Sequence, residues 1–238
     1  MANKSTVILS SIILSLGMVI LGAFLKSGIV SFKDSERVVL VKGLSERTVL
    51  ADNVIWPIKY ELGSNNLSAL YDDIEESNKK IISFLEKNGI SKDEVTIPMP
   101  VVQDLYADRY SNTSQIKFRY YINSTVTVSS KKVEEVRKAM TKVSDLIKAG
   151  LAISSEKYGM SQVKFLYNSL NDIKPEMIEE ATKSAREAAE KFAKDSNSNI
   201  GKIKTASQGQ FSINDQNADT PHIKTIRVVT TVQYYLKD

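Results

Sequence analysis

Residues Val7 to Leu25 form a 19-residue run without a charged side chain, and its only polar side chains are Ser10, Ser11 and Ser15. As a helix rising about 1.5 Å per residue, the run covers about 28 Å, close to the hydrocarbon thickness of a bilayer. It is apolar on every side, whereas a helix lying on a water-soluble body keeps one polar face. A cleaved signal peptide has a shorter apolar core and a small-residue cleavage site. Leu21-Gly22-Ala23-Phe24-Leu25 is a poor site of that kind. Residues 1–25 are therefore expected to be a signal anchor, with a signal peptide as the alternative. Lys4 and the free amine favour an inside N-terminus, while Lys26 and Lys33 pull weakly the other way. The body that follows is expected outside the cytoplasmic membrane, bound to it or free of it if the segment is cleaved.

Charge narrows the partners. The formal net charge is +4, but Lys4, Lys26 and Lys33 are the only charged side chains before Asp34. From Asp34 onward 29 basic residues stand against 28 acidic ones. A nucleic-acid binder carries a clustered basic excess, so no nucleic-acid partner is expected. The absence of cysteine removes disulfides, thiolate nucleophiles and thiolate metal sites.

The rest of the chain alternates between two periodicities. Residues 26–36 read as a linker, Val38–Val41 as a short strand, and Lys42-Gly43-Leu44-Ser45-Glu46 as a turn. Val54, Trp56, Ile58, Tyr60 and Leu62 alternate onto one face of a second strand. Pro57 within it lacks a donor, which places it at an edge or a bulge. Leu67, Leu70, Tyr71, Ile74, Asn78, Ile81, Ile82 and Leu85 follow helical spacing, stopped by Asn88-Gly89. A strand begins at Val95, Ile97, Met99 and Val101, and Asp104–Ser114 reads as a hairpin connection. The clearest strand places Ile116, Phe118, Tyr120, Ile122, Val126 and Val128 inward. A second helix carries Val133, Val136, Met140, Val143, Leu146 and Ile147 and ends at Gly150. After a strand near Gln162–Asn168, a third helix opens at Pro175 with an inner stripe of Ile178, Ala181, Ala185, Ala188, Ala189 and Phe192. So many alanines imply close approach to a neighbour. Final strands occupy Lys202–Ile213 and Lys224–Leu236, joined by the loop Asn214–His222.

The order β-helix-β-β occurs twice, at about 47–129 and 160–236. The expected fold is α+β: two β-α-β-β units with mostly antiparallel sheets and helices packed on them, behind the N-terminal helix. Residues 37–238 form the folded domain, with halves at about 37–130 and 131–238.

Four segments resemble the SIMPL (DUF541) family of bacterial periplasmic and envelope proteins. These are Val39-Leu40-Val41-Lys42-Gly43-Leu44-Ser45-Glu46, then Asn78–Ile90 leading into Asp93-Glu94-Val95-Thr96. Tyr120–Val128 followed by Val133 and Val136 is the third, and Ala181–Ala193 running on to Gly201-Lys202-Ile203 the fourth. The resemblance covers about residues 38–236, with Leu44 and Trp56-Pro57 departing from the family's usual pattern. It implies no catalytic residue. Some members resemble ring-building proteins that form large homo-oligomers, and others are linked to envelope stress.

Chemistry-bearing residues are sparse. His222 is the single histidine and reads as a solvated loop residue rather than a base. No phosphate-binding glycine loop is present. Asp72, Asp73, Glu75 and Glu76 read as a solvated acidic patch without the spacing of a calcium loop, as do Asp215 and Asp219. Tyr106, Tyr110 and Tyr121 suit either an interface or partial burial against a loop. Trp56 and Phe118 read as core. No catalytic, cofactor or metal site is expected, and no cofactor. Unprotected strand edges are a liability that pairing with an identical subunit would remove, closing a ring if the rotation allows. The expectation is a non-enzymatic, self-associating envelope protein. The alternative is a ligand- or peptide-binding module of envelope stress, using a groove between the halves.

Overall fold

A computed structural model describes residues 4–34, 37–107, 116–153 and 163–237, with the side chains of 4–7, 9–11 and 29–34 outside the description. In chain order the elements are helix α1 (Lys4–Asp34), strands β1 (Val38–Leu50) and β2 (Asn53–Ser64), and helix α2 (Leu67–Lys87). A 3-10 turn (Lys92–Glu94) leads to strands β3 (Val95–Thr96), β4 (Val101–Asp104) and β5 (Tyr120–Ser130). Helices α3 (Val133–Thr141) and α4 (Ser144–Lys148), strand β6 (Lys164–Leu166) and helix α5 (Leu170–Asp195) follow. Strands β7 (Asn199–Gln208), β8 (Ser212–Asp215) and β9 (Ile223–Lys237) complete the chain. The protein is α+β, and the pairings of β2 with β5 and β6, of β5 with β3 and β4, and of β7 with β9 are all antiparallel.

Helix α1 continues to Asp34, so Lys26–Asp34 is helical rather than the expected linker. One glycine, Gly28, costs a helix only about 1 kcal/mol and does not stop it. Among the described residues no helix is long and apolar enough to cross a membrane. The uncharged run Val7–Leu25 begins ahead of Ile12, where the continuous description of side chains starts, so a membrane role for α1 rests on sequence.

The chain forms two compact units, and they are not sequential halves. The first comprises Met1–Arg47, Ile173–Ser212 and Ile226–Asp238, and the second Thr48–Asp172 and Ile213–Thr225. The doubled order is present with one strand more than expected in each passage, β2-α2-β3-β4-β5 and β6-α5-β7-β8-β9, but each passage does not build its own sheet. Strand β6 joins β2, while β1 takes the place beside β9.

In the first unit the sheet order is β1-β9-β7; β8, whose residues Ile213–Asp215 belong to the second unit, also pairs β9. Strand β1 runs unbroken through the segment expected to turn at Lys42–Glu46. Gly43 is there for a different reason: α5 lies directly on it. A Cβ at Gly43 would sit 1.9 Å from the Ala181 carbonyl oxygen and 2.3 Å from the Ala185 nitrogen. The buried stripe of α5 is Met177, Ala181, Ala185, Ala189 and Ala193, a strict four-residue step, packed with Val39, Val232 and Tyr234. Ala188 and Phe192, expected inside, are exposed; an i+4 row holds one face over a long helix while Ala188 falls outside it. Helix α5 starts at Leu170, so Pro175 lies within it rather than opening it.

In the second unit the order is β3-β5-β2-β6, with β4 also on β5. Val54, Trp56, Ile58 and Tyr60 face the core with Val126 and Val128 of β5, joined by Ile81 and Leu85 of α2 and Val136 and Ala139 of α3. Strand β6 pairs only with Asn53–Ile55, so its ladder ends before Pro57 and needs no donor there. Asn66 caps α2 by accepting from the Ser68 and Ala69 nitrogens, and Gly89, at φ +85°, takes the chain out of it. The Tyr60 hydroxyl, buried beneath α2, donates to Asn78 Oδ1 at 2.8 Å.

The second helix is two helices. Lys142 N–H donates to Ala139 O (3.0 Å), Val143 N–H to Met140 O (3.2 Å) and Leu146 N–H to Val143 O (3.0 Å), all three-residue steps. That tighter winding shifts the phase. Leu146 turns inward and Ile147, expected in the stripe, is 55% exposed. Strand β5 begins at Tyr120, later than expected, and Phe118 is half-buried beside Tyr121 rather than in the core (centroids 6.1 Å apart). Its inward row includes two serines that the apolar alternation does not single out, Ser124 and Ser130.

Candidate functional site

Each polar cluster can be read for whether it is set up to react or to hold. Glu94, in the second unit, has the densest set of partners. Its carboxylate accepts from the Ser91 N–H and hydroxyl (both 2.9 Å), the Ser130 hydroxyl (2.6 Å) and the Lys132 ammonium (3.1 Å). Burial pushes the carboxyl up, but the donors from Ser130, Ser91 and Lys132 outweigh it and hold it at about 2. A carboxylate so tightly satisfied is a poor proton acceptor at neutral pH. It fastens the 3-10 turn to the end of β5. Asp52 plays a similar part: its oxygens accept from the Asn168 N–H (2.8 and 2.9 Å) and the Ser169 N–H (2.8 Å). Burial opposes ionisation there, and the backbone donors override it, leaving the carboxyl below its ordinary value.

In the first unit, Arg47 on β1 holds Glu176 (2.8 Å) and Glu180 of α5, and the Ser45 hydroxyl donates to Glu180 at 2.7 Å. The Glu180 and Glu176 hydrogen bonds raise the guanidinium further, and Arg47 and Ser45 lower Glu180. These groups clamp α5 to β1 beside Gly43.

His222 is not a solvated loop residue. It is half-buried, its ring meets Phe165 edge-on with centroids 5.9 Å apart, and its carbonyl accepts from the Ala51 N–H at 2.8 Å. Burial, then Arg137, push its pKa below the ordinary histidine value against the pull of Glu134. It borders a hollow of about 240 Å³ with Leu50, Ala51, Lys132 and Glu134.

The acidic patch is exposed, with Glu75 3.7 Å from Lys79 and Glu76 2.8 Å from Lys80 on the same helix. Asp215 pairs with the buried Lys224, and the Asp219 N–H donates to Asn217 Oδ1 at 3.0 Å. Among the described residues no three His, Asp or Glu side chains come together to hold a metal ion. Tyr106 is exposed, and Arg119 lies over its ring (5.8 Å) and that of Tyr120 (4.8 Å) while binding Asp104 at 2.8 Å. Tyr121 is half-buried, and Tyr110 lies outside the described residues. Sequence reading missed a cleft of about 630 Å³ between α2 and α4, floored by Phe84 and Leu146 and rimmed by Lys80, Lys87 and Lys142. The signal was available only through the phase shift that separates α4 from α3.

With this geometry in place, the comparison with family models is decisive. The model described as SIMPL, a protein of unknown function (DUF541), matches residues 39–234. The chain belongs to the SIMPL family. A search of curated proteins returned no match. The match starts one residue into β1 and ends within β9, so the SIMPL domain draws on both compact units and leaves α1, which belongs to the first, outside. The Glu94 network, the Asp52 cap and the Arg47 clamp all lie within the SIMPL domain.

Proposed function

We propose that this SIMPL protein is a non-enzymatic envelope component, held to the inner membrane by α1 with its folded body in the periplasm, and that the body works by associating with copies of itself. The observation carrying the reading is α1. Ile13, Leu14, Val19 and Phe24 are each more than 60% exposed, and an uncharged run of that length is stable only against lipid or a protein surface. The ionisable groups with displaced pKa support the non-enzymatic part, because Glu94, Asp52 and Glu180 each spend their charge on holding two elements together.

The test is fractionation. The full chain is expected in the membrane pellet, resistant to carbonate at alkaline pH. Leu16→Arg with Val19→Arg, which costs about 5 kcal/mol or more of insertion free energy, is expected to move most of the protein to the soluble fraction. Equal membrane retention of the two proteins would reject the anchor.

The lysine-rimmed cleft between α2 and α4 favours a second reading, a module binding an acidic peptide or ligand in envelope stress. Its floor is apolar, and its rim sets Lys79, Lys80, Lys87 and Lys142 against Glu76 and Asp145, a net basic lining of a groove that could take a helix.

A further inference from the structure

Strand edges invite pairing, and proteins guard them by shortening, proline, bulges or lysine. Among the described residues the two sheets end at β6, at β3 and β4, at β7 and the four-residue β8, and at β1. Strand β6 has three residues. The β3–β4 edge is broken by Pro98 and Pro100. Strand β7 carries Lys202 and Lys204 and slips register between Ile200 and Ile203 and again before Thr205. Strand β1 has only a single lysine, Lys42, among these devices: it runs 13 residues without proline, and Leu40 and Leu44 are 62% and 43% exposed on the face away from α5.

The Arg37 carbonyl accepts from the Leu236 N–H of β9 at 2.8 Å. Backbone groups of alternate residues point to opposite edges, so those of Leu40, Lys42, Leu44 and Glu46 point away from β9. Burial alternates without a break from Val39 to Glu46, which fits a strand without a bulge there. A two-fold pairing of β1 with β1 of a second copy can centre on any residue of this stretch, because hydrogen-bonded and non-hydrogen-bonded pairs alternate along the ladder, but only centring on Leu44 brings Lys42 opposite Glu46. Centring on Lys42 opposes lysine to lysine, and centring on Glu46 opposes glutamate to glutamate; like charges directly opposite are unfavourable. Centring on Leu44 opposes Leu44 to Leu44 and places Lys42 opposite Glu46 twice. We infer that β1 is a self-complementary edge through which two copies pair antiparallel about a two-fold at Leu44, continuing one sheet across both. This rests on the self-association reading above. It names a closed, isologous contact rather than a head-to-tail ring, since the guarded β7 edge is a poor partner for β1.

The experiment uses the full chain in detergent micelles, with molecular mass from light scattering after chromatography over a range of concentrations. Lys42→Glu and Glu46→Lys are each expected to weaken association at least tenfold, and the two together to restore it. The chain has no native cysteine, so Leu44→Cys gives a single thiol per copy. Opposed residues in a hydrogen-bonded antiparallel pair have Cα atoms about 5.5 Å apart, within disulfide range. Mild oxidation is expected to crosslink Leu44→Cys and leave Leu40→Cys uncrosslinked, because its copies would lie more than about 20 Å apart. Circular dichroism confirms that the exposed substitutions leave the fold intact. If the chain associates but both charge reversals are silent and Leu44→Cys does not crosslink, the β1 contact is wrong while self-association stands. If the chain is monomeric at every concentration, both fail.

Discussion

Gly43→Ala is expected to cost the protein about 3 kcal/mol or more of unfolding free energy, since among the described glycines an added Cβ meets its nearest backbone atom at the shortest distance here. The added carbon would meet the Ala181 carbonyl oxygen at 1.9 Å, the Ala185 nitrogen at 2.3 Å and the Ala185 Cα at 2.9 Å. All three belong to the backbone of α5, so no side-chain rotation relieves the clash. The helix has to lift from the sheet, opening the fully buried row at Ala181, Ala185 and Ala189 and pulling on the Arg47 contacts to Glu176 and Glu180. Urea unfolding at neutral pH measures the loss. Ala188→Ser, at an exposed position on the same helix, is expected to stay within about 0.5 kcal/mol of the parent. A Gly43→Ala protein as stable as the parent would mean that α5 does not lie on β1 as described.

The second large effect depends on pH. Glu94 is held at about 2 in the folded protein against an ordinary value of 4.5. A depressed folded pKa contributes stability that is fully present above the unfolded value and fades as pH falls toward the folded one. The window is therefore about pH 5 down to pH 2. The whole shift corresponds to about 3 kcal/mol, and partial solvent access to the side chain, which is 16% exposed, brings the expectation to about 2 kcal/mol. Glu94→Gln should thus be less stable than the parent by about 2 kcal/mol at pH 7, and most of the gap should be gone near pH 2.5, where the unfolded chain is protonated and the folded carboxylate is beginning to be. Denaturant unfolding at the two pH values checks this. A gap that stays constant across that range would show that the charge does not hold the 3-10 turn to β5.

The fold is legible in the sequence where one periodicity runs undisturbed. The alternation Val54, Trp56, Ile58, Tyr60 and the helical row from Leu70 to Leu85 need no further information, and Gly89 and Gly150 end their helices as expected. Two of the failures share a cause: a local signal is overridden by a partner distant in sequence. Gly43 looks like a turn residue because most isolated glycines are, and nothing nearby announces that a helix about 140 residues later will rest on it. Pro175 looks like a helix start, yet α5 opens at Leu170, ahead of it. The exchange of β1 and β6 between sheets is invisible to any window of sequence, so the repeated element order reads as two sequential halves. Polar clusters follow the same rule. The exposed acidic run of α2 is legible, since its pairs are four residues apart, whereas Glu94 gains its character from Ser130 and Lys132, which the chain brings back only after β5.

The central claim is that α1 delivers this SIMPL domain to the far side of the inner membrane, and protease access in spheroplasts tests it most directly. Intact spheroplasts carrying the full chain are treated with protease, and fragments are followed with an antibody against the body. Loss of the body to external protease, while a cytosolic marker survives, is the predicted result. A body that stays intact until the spheroplasts are lysed would place it in the cytosol and contradict the account.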